Sequence, residues 1–403
     1  MIVRALLGIA LLGTLTSTIF LGLVVVAAFR FKRKTRSLPA FPKASEAPPV
    51  SLLKPLHGAE PGLEEYLESF FALDYPCFEI LFCARTEADA GLQLARRIAA
   101  NHPNVPVRFL LSGEPPWPNA RCYSLSVMAA EAAHEILVIT DSDVRVRRNF
   151  LRNVVAPFHA EQVGASTCVY RGDAAGAGIW ALMEGMGMSV EMTAGVLVAD
   201  MLEGMRFTLG PCMIVRKSAL ERIGGFPKLG YYYADDFMLG NLVAESGKTV
   251  VLSGHVIDHC ILNNGFWKNF NHQWNWMKST RMSRPSGHLG TGLTFAAPYG
   301  ILGLASAWFL GWPLLGAGLL AWAFLSRVLL CLVAGVWVIG DPESLRFCWL
   351  YPLRDLMGFV LWVLSYSSHK VGWRDDRFIL EKSGLMRKVG NAVAPAPAPD
   401  PKA

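Results

Sequence analysis

The stretch EILVITDSD, residues 135–143, is an apolar run that ends in two aspartates two positions apart. Four apolar residues and a threonine in succession, bounded by polar residues, are typical of a strand buried in a sheet. Asp141 and Asp143 follow at its carboxyl end, where two carboxylates repel each other unless a cation lies between them. Mg²⁺ is commonly held by one or two carboxylates together with phosphate oxygens. The stretch therefore predicts either such a cation site or a polar turn that ends the strand.

Strands and helices alternate on the amino-terminal side of this stretch. The predicted strands are VSLLKPLHG (50–58), CFEILFCA (77–84) and PVRFLLSG (106–113). Helical spacing appears between them, in LEEYLESFFAL (63–73), AGLQLARRIAANHP (90–103) and LSVMAAEAAH (125–134). The alternation predicts an α/β fold with a mainly parallel sheet. Ligands of such sheets bind beyond the carboxyl ends of the strands, where Asp89 is expected to join Asp141 and Asp143.

An apolar segment at the amino terminus predicts a membrane anchor. Leu6–Phe29 carries no charge and is long enough to cross a bilayer, and RFKRKTR (30–36) follows it. Because the positive charge follows the apolar run, an uncleaved anchor is favoured over a cleaved signal peptide. The positive-inside rule then places the basic flank and the adjoining domain in the cytoplasm.

Further apolar segments follow residue 290. Two spans are predicted in 293–340, divided at Gly311–Pro313, with Arg327 facing the bundle interior or snorkelling. A third segment, 347–367, is interpreted either as a span or as a re-entrant segment. Three spans would leave the carboxyl terminus on the side opposite the α/β domain, whereas the basic charge of the tail favours the same side.

The predicted organisation has five parts: a membrane anchor with its basic flank (1–36), a linker (37–49), the α/β domain (50–290), carboxyl-terminal membrane segments (291–368), and a basic tail with a disordered end (369–403). The chain is 52% hydrophobic and 17% charged, a balance typical of a multi-pass membrane protein. No aromatic-interleaved basic motif indicates a nucleic-acid partner. The eight cysteines form no C-x-x-C pair, which argues against a disulfide scaffold or a zinc site.

Two other regions leave structural alternatives open. Residues 178–207 are apolar but contain Glu184, Glu191 and Asp200, so they predict a helix on the membrane or along a groove, or an ordinary packed helix, rather than a span. His255 and His259 lie on one face of a predicted strand without a third ligand, which favours packed or hydrogen-bonded histidines over a metal site.

Five motifs together resemble the inverting family 2 and family 21 glycosyltransferases, most closely the ceramide glucosyltransferase-like group, which includes bacterial enzymes that glycosylate sphingolipids and hopanoids. They are RTEADAG (85–91), NARCYSL (119–125), DSD (141–143), YYYADDFMLG (231–240) and HQWNWMKSTRMSRP (272–285). The resemblance extends from the anchor to WRDDRF (373–378). It implies a GT-A catalytic domain, Rossmann-like with a mainly parallel sheet, carrying one amino-terminal and two to three carboxyl-terminal membrane helices.

The resemblance also implies roles for single residues. Asp89 matches the aspartate that contacts the nucleotide base or ribose, with Glu87 as a lesser candidate. Arg121 stands where the family has a lysine and is expected to face a phosphate. Asp141 matches the second aspartate, which binds the donor and the metal. Asp143 is the expected ligand of Mg²⁺ or Mn²⁺, although animal ceramide glucosyltransferases have glycine there.

The third family aspartate corresponds to Asp236, which is expected to be the general base. An inverting transfer needs a base that takes the proton of the acceptor hydroxyl as it attacks the anomeric carbon. From the residues alone, Asp235 and Asp236 are also compatible with capping the amino terminus of a helix.

The last motif departs from the (Q/R)xxRW pattern of the family. Trp276 matches the pattern, whereas His272 stands in place of Gln or Arg and Asn275 in place of Arg. In the family this segment helps to bind the donor diphosphate or the acceptor, so His272 and Trp276 are expected to bind the donor. Lys278, with Arg281 and Arg284, is expected to supply the missing positive charge. The segment also fits a basic, aromatic juxtamembrane helix.

The expected function is a membrane-bound inverting transfer of one sugar from UDP-glucose or UDP-N-acetylglucosamine to a lipid hydroxyl. Ceramide is the first candidate acceptor, and a hopanoid or diacylglycerol-type lipid is the second. The expected location is a bacterial inner membrane or its equivalent, with the catalytic domain in the cytoplasm. The alternatives are a processive polysaccharide synthase, which would have an intact (Q/R)xxRW, a transporter, which would have polar residues throughout its spans, and a pseudoenzyme scaffold, which would have lost an aspartate.

Overall fold

The computed structural model describes residues 1–36, 47–174, 176–261, 265–373 and 376–389. Most of the predicted linker, residues 37–46, and the predicted disordered end from residue 390 lie outside the described residues. The strands are β1 Val50–Pro55, β2 Phe78–Ala84, β3 Val107–Leu111, β4 Ile136–Thr140, β5 Val144–Arg145, β6 Val163–Asp173, β7 Cys212–Arg216, β8 Thr249–Cys260, β9 Lys370–Trp373, β10 Asp376–Leu380 and β11 Met386–Lys388.

Sixteen α-helices accompany these strands in the described part of the chain. They are α1 Ile2–Arg36, α2 Leu63–Phe71, α3 Ala90–Asn101, α4 Ala120–Glu131, α5 Phe150–Val155, α6 Ile179–Met186, α7 Thr193–Glu203, α8 Lys217–Arg222, α9 Gly225–Leu229, α10 Asp235–Glu245, α11 Phe266–Ser283, α12 Pro285–Thr291, α13 Ala297–Phe309, α14 Pro313–Cys331, α15 Pro342–Phe347 and α16 Tyr351–Ser365. One π-helical segment, Gly187–Met192, joins α6 to α7, and a second, Leu332–Ile339, extends α14.

The eight-stranded sheet has the order β3-β2-β1-β4-β7-β6-β8-β5. Its first four strands are parallel, as the alternation of strands and helices predicts, while β7 runs antiparallel to both β4 and β6. Every residue of β4 is buried, because a central parallel strand is covered on both faces and therefore reads as a continuous apolar run. The carboxyl ends of β1, β2 and β4 meet at one edge, which positions the acidic motif that follows β4.

The helix of residues 179–203 is packed inside the protein. Each of its three internal acids lies beside a basic group: Glu184 is 2.7 Å from His272 Nδ1, Glu191 is 2.9 Å from Arg354, and Asp200 is 3.8 Å from Lys34. These pairs offset the cost of burying carboxylates. The structure therefore shows a packed helix, two of whose residues, Glu184 and Met188, also line a cleft, so it combines two of the predicted alternatives.

Within the part of the chain that the structure describes, four helical segments are long and apolar enough to cross a membrane: Ile2–Thr35, Ile179–Glu203, Pro313–Ile339 and Pro342–Ser367. The largely buried Ile179–Glu203 is the packed helix described above. Two helices, α13 and α14, occupy the stretch in which two spans were predicted, and α13 is the shorter of them, with 13 residues. At 1.5 Å per residue it extends about 20 Å, which is short of the bilayer core. Gly311, with a φ of 77°, makes the tight turn between α13 and α14 at the predicted point of division.

Arg327 lies in the interior of the helical bundle, as one of the two alternatives predicted. Its side chain is 1% exposed, and its Nη1 lies 3.2 Å from Asp355 Oδ1 and donates to the carbonyl of Thr294 at 2.9 Å. The other oxygen of Asp355 accepts the amides of Ala296 and Ala297 at the start of α13. The arginine therefore joins α14 to the beginning of α13 and to α16.

The carboxyl-terminal strands fold back onto the α/β domain. β9, β10 and β11 form an antiparallel sheet, whose Met386 amide donates to Tyr231 O and whose Gly384 carbonyl accepts from the amide of Tyr233. The tail is therefore on the same side as the domain, as its basic charge predicts. The predicted basic tail is therefore folded as far as the structure describes it, and the end predicted to be disordered lies outside the described residues.

The third apolar segment begins and ends beside the domain. Just before it, Val338 O accepts a hydrogen bond from Lys32 of the basic flank at 3.0 Å. Just after it, Lys370 O accepts one from Lys278 of α11. Both ends of the segment therefore lie on one side, which supports the re-entrant interpretation over a third span.

Candidate active site

A cleft of about 520 Å³ opens at the carboxyl ends of β1, β2 and β4. A volume of this size accommodates a ligand the size of a nucleotide sugar. Five of the predicted site residues line it: Arg121, Asp141, Asp143, His272 and Trp276. The structure thus brings together residues that are up to 155 positions apart in the sequence.

Arg121 fixes the two acidic motifs relative to each other. It lies in the first turn of α4, where its Nε donates to Asp141 Oδ1 at 2.8 Å, its Nη1 to Asp235 Oδ2, and its Nη2 to Gly210 O at 3.0 Å. Burial lowers the pKa of the guanidinium, but Asp141 and Asp235 outweigh that effect and raise it. Arg121, which was predicted to face a phosphate, therefore binds two carboxylates. Its planar guanidinium reaches both at once, which the ammonium group of a lysine could not do.

Asp143 is paired with a histidine from the neighbouring strand. The pairing of β5 with β8 sets Val144 opposite His259, and His259 Nε2 lies 3.1 Å from Asp143 Oδ2. Burial alone would raise the pKa of Asp143, but the positive His259 lowers it, and Asp143 in turn raises the pKa of His259 to about 9. Asp143 Oδ1 is buried without a hydrogen-bond partner. That oxygen therefore remains available to a ligand.

The second histidine of this strand is hydrogen-bonded elsewhere. His255 Nδ1 lies 3.0 Å from Asn153 Nδ2, and burial lowers the pKa of its imidazole to about 4. Both histidines are therefore hydrogen-bonded, which is the interpretation that the sequence favours. Within the described ranges, no group of three or more His, Cys, Asp or Glu side chains is arranged to hold a metal ion.

Asp236 lies in the first turn of α10, with both carboxylate oxygens bound to backbone amides. Oδ1 accepts from the amide of Phe237 at 2.8 Å, and Oδ2 from that of Gly210 at 2.7 Å. Burial, together with the neighbouring charge of Asp235, raises the pKa of Asp236 to about 6. The helix cap itself is Ala234, so neither aspartate caps the helix as the alternative interpretation supposed.

Asp236 and Asp141 face the same side of Gly210. A β-carbon placed on Gly210 would lie 3.2 Å from Asp236 Oδ2 and 4.0 Å from Asp141 Oδ2. The glycine therefore leaves room for two carboxylates to approach one small region from different motifs. The predicted base and one of the predicted cation ligands therefore meet at Gly210.

Lys54 is a member of the site that the sequence analysis missed. It ends an otherwise apolar strand, is fully buried, and donates from Nζ to the carbonyl of Asp141 at 2.5 Å. Nζ also lies 3.9 Å from the centre of the Phe70 ring. Burial lowers the pKa of the amine to about 7 even though Asp141 and Asp143 oppose that shift. A lysine within an apolar strand was the available signal, because lysine is almost never buried without a partner.

His272, which stands where the family has Gln or Arg, is bound to a buried carboxylate. His272 Nδ1 lies 2.7 Å from Oε1 of Glu184, and its ring centre is 4.3 Å from that of Trp276. Glu184 is 1% exposed, and its other oxygen accepts from Asn269, one turn before His272 on α11. The histidine is therefore held at the edge of the cleft by a buried carboxylate.

Three predicted cations of α11 do not face the cleft, which corrects the expectation for Lys278. Its Nζ donates to Lys370 O and lies 4.0 Å from the Trp274 ring. Arg281 donates to Ser368 O, and Arg284 pairs with Glu203. Lys278 and Arg281 lie on the face of α11 that meets the carboxyl-terminal segment, and Arg284, which follows the helix, faces α7. The predicted helix is therefore correct, but its cations point away from the cleft.

Asp89 also differs from its expected position. Its Oδ1 accepts the amides of Gly91 and Leu92 at the start of α3, and its Oδ2 accepts the amide of Gly58 at 2.8 Å. It is not among the residues that line the cleft. Asp89 thus fixes the loop after β1 against α3, and Glu87 pairs with Arg96 at the surface.

Asn119 links the start of α4 to the segment before Asp236. Its Oδ1 accepts the amide of Cys122, its Nδ2 donates to Tyr232 O, and it is fully buried. Replacement by alanine should lower the free energy of unfolding by about 1–2 kcal/mol, because both bonds are lost at a helix cap. Thermal unfolding in detergent measures this effect, with exposed Asn104→Ala as the control. Equal melting temperatures for the two variants would contradict the capping role.

Comparisons with known proteins identify the family. Residues 14–386 match the family model described as glycosyl transferase family 21. Ceramide glucosyltransferase 1 of Caenorhabditis elegans is 24% identical over 351 residues, which cover 86% of this chain and 74% of that protein. The ceramide glucosyltransferase of Komagataella phaffii is 32% identical over 151 residues, 34% of this chain and 29% of its own length.

Among solved structures, a mannosyltransferase of Pyrobaculum calidifontis in complex with GDP-mannose and Mn²⁺ aligns with a TM-score of 0.49 and 19% identity, over 87% of this chain and 98% of its own. The family match extends from the middle of α1 to β11 and includes every element of the cleft. The chain belongs to glycosyl transferase family 21 and is a membrane-bound hexosyltransferase.

Proposed function

We propose that this transferase moves one hexose, with inversion, from UDP-glucose or UDP-N-acetylglucosamine to the hydroxyl of a membrane lipid, with ceramide as the first candidate. The observation that carries the proposal is that Asp141 and Asp143 line the cleft, while Asp236, which is not itself among the lining residues, approaches Asp141 at Gly210. The ceramide glucosyltransferases of Caenorhabditis elegans and Komagataella phaffii, both similar to this chain, support the choice of acceptor. A hopanoid or a diacylglycerol-type lipid is the second candidate.

Asp236 is proposed as the general base. The acceptor hydroxyl oxygen forms a bond to the anomeric carbon, the bond from that carbon to the diphosphate oxygen breaks, and the hydroxyl proton passes to Asp236. A carboxylate with a pKa of about 6 is largely ionised at neutral pH and is still a better proton acceptor than an ordinary aspartate. The amides of Gly210 and Phe237 hold the carboxylate in one orientation while each oxygen keeps a lone pair free.

Asp141 and Asp143 are proposed as ligands of Mg²⁺ or Mn²⁺. Asp143 Oδ1 fits this role, because it is a buried carboxylate oxygen without a hydrogen-bond partner. With only two carboxylates from the protein, the remaining ligands would come from water and from diphosphate oxygens, as Mg²⁺ prefers. When bound, such an ion neutralises the charge of the diphosphate leaving group. Lys54 and His259 hold the two aspartates in place from the protein side.

The surroundings of the cleft support a membrane acceptor. Met188 and Glu184 line the cleft from the helix of 179–203, whose Asp200 pairs with Lys34 in the basic flank of α1. On α11, Trp267 is 70% exposed and lies in a cluster with Phe266, Phe270 and Trp180. Aromatic side chains are favoured at the level of lipid headgroups. The cleft would thus be held at the bilayer surface, where a tethered site meets a high effective concentration of lipid.

The proposed orientation places the catalytic domain in the cytoplasm of a bacterium, at its inner membrane, or in an equivalent compartment. The basic flank of α1 supports this orientation under the positive-inside rule. The carboxyl-terminal sheet, which contacts the domain through Tyr231 and Tyr233, would lie on the same side. UDP-sugars are available there.

A transfer assay in detergent micelles tests the proposal. The full chain would receive UDP-glucose or UDP-N-acetylglucosamine with Mn²⁺ or Mg²⁺, against ceramide, a hopanoid and diacylglycerol. We expect a single glycosylated lipid, made from one of the two donors, and its loss when EDTA replaces the metal. Transfer to none of these lipids would contradict the proposed acceptor class, and a polymeric product would favour a processive synthase.

A further inference from the structure

We propose that the carboxyl-terminal sheet, β9–β11, forms the outer wall of the donor site and that Trp373 covers the nucleotide part of the bound UDP-sugar. The inference rests on the proposed function, because it assigns a role to these strands in binding the same donor. These three strands lie within the predicted basic tail.

A second cleft lies between the α/β domain and this sheet. It measures about 230 Å³ and is lined on the domain side by His57, Arg85, Pro118, Ala120 and Arg121, and on the sheet side by Trp373, Asp376, Phe378 and Lys388. The main cleft shares His57, Arg85, Ala120, Arg121 and Trp373 with it. The two spaces therefore adjoin, and Trp373 stands at their junction.

The shared residues indicate which part of the donor would lie there. His57 follows β1, and Arg85 follows β2, so both lie at the carboxyl ends of the parallel strands. Ligands of such sheets bind at this edge. Glu184 and His272 line only the main cleft, away from the sheet. The second cleft thus extends the site at the strand-end edge, where a nucleotide is expected to bind.

The chemistry of the second cleft suits an anionic nucleotide. Arg85, whose exposed partner Glu114 lies 3.7 Å away, and Lys388 bring positive charge from opposite walls, and Trp373 brings an aromatic surface. Arg121 is already engaged with Asp141 and Asp235, so it adds little net charge for the ligand. Lys388 is paired with the half-exposed Asp376 at 2.7 Å, a contact that a phosphate can replace. Aromatic rings stack on nucleobases of any type.

Two residues of the motif segment, Asn275, which departs from the family pattern, and Lys278, hold this wall in position. Asn275 Nδ2 donates to Gly372 O at 3.0 Å, directly before Trp373. Lys278 donates to Lys370 O at the start of the same strand. The Trp373 ring lies 5.5 Å from that of Tyr233, three positions before Asp236. The motif segment would therefore contribute to donor binding indirectly, by positioning β9.

Direct binding of UDP tests the inference without the need for an acceptor. The full chain in detergent, with Mn²⁺, would be titrated with UDP by calorimetry. We expect Trp373→Ala to raise the Kd about 10-fold or more, Trp373→Phe to restore most of the affinity, and Asn275→Ala to weaken binding about threefold. In the transfer assay, Trp373→Ala should raise the donor KM and leave the lipid KM unchanged.

Controls separate this role from a merely structural one. Arg377→Ala changes an exposed residue of β10 that lines neither cleft, and it should bind UDP as the parent does. If Trp373→Ala lowers the melting temperature, Lys388→Ala gives a second test, with an expected loss of affinity of a few-fold. A parent-like Kd in both Trp373→Ala and Lys388→Ala overturns the inference while the proposed function stands. A parent chain that binds no UDP overturns both.

Discussion

Asp236→Asn is expected to lower kcat by about 100- to 10,000-fold and to leave the donor KM within about threefold of the parent value. The range is that typical of losing a general base. The asparagine side chain has nearly the same shape but cannot accept a proton at neutral pH. The donor is proposed to be held by Asp141, Asp143 and the β9–β11 wall, so its affinity should change little. Steady-state kinetics with the lipid acceptor identified in the micelle assay measures both parameters.

The pH dependence of the parent gives an independent check of the same role. Burial and the charge of Asp235 raise the pKa of Asp236 to about 6. Because the base must be ionised to act, kcat/KM should be constant above about pH 7 and fall about tenfold per unit once the pH is well below 6. This acidic limb should be absent from the residual activity of Asp236→Asn.

Two further variants serve as controls for the effect of Asp236→Asn on kcat and on its pH dependence. Asp74→Asn removes an exposed carboxylate whose partner, Arg152, lies at the surface, and it should leave kcat unchanged. Asp235→Asn removes a neighbour that holds Arg121, and it should shift the acidic limb downward because the charge that raises the pKa of Asp236 is gone. A kcat for Asp236→Asn within tenfold of that of Asp74→Asn would exclude Asp236 as the base.

The first half of the α/β domain could be predicted from its sequence because its signals are local. Each strand from β1 to β4 is a short apolar run, and each is followed or preceded by a helix whose spacing can be read within a dozen residues. The acidic pair after β4 then follows from the general position of ligand sites in parallel sheets. These predictions do not depend on any contact between distant parts of the chain.

The partners of the site residues could not be predicted in the same way. Arg121 was expected to face a phosphate, but Asp235, 114 positions away, takes one arm of its guanidinium. Lys278 was placed on the correct helix, but β9, about 90 residues later, covers its face. Both outcomes are decided by tertiary packing, which spacing along one helix does not encode.

The carboxyl-terminal sheet was missed for a related reason. Its three strands have only three to five residues each, and two of them are rich in charged residues. Such short strands are not stable alone and depend on packing against other elements. Here the support comes from backbone bonds to Tyr231 and Tyr233 and from Asn275 of α11. Nothing in the sequence of the tail indicates that its strands pack against these residues.

Asp143→Asn is expected to weaken Mn²⁺-dependent binding of UDP by more than about 100-fold. The substitution preserves the size of the side chain but removes its negative charge. It also leaves at most one oxygen for the metal ion, whereas the parent has two, the unpartnered Oδ1 and the Oδ2 near His259. Hard divalent cations favour carboxylate oxygens over amides for their charge. Calorimetry with UDP, in Mn²⁺ and then in EDTA, separates the metal-dependent affinity from the rest.

The comparison with His259→Gln decides between a ligand and a structural role for Asp143. Glutamine at 259 keeps a hydrogen-bonding group near Asp143 Oδ2 but removes the positive charge that lowers the pKa of this carboxyl. Loss of a supporting group typically costs about 10- to 100-fold in metal affinity, so Asp143→Asn should be the more severe change. In EDTA both variants should bind UDP as weakly as the parent does, because the protein contacts of the nucleotide are intact. If Asp143→Asn instead kept its Mn²⁺-dependent affinity, the ion would not depend on this carboxylate, and Asp141 alone would have to hold it.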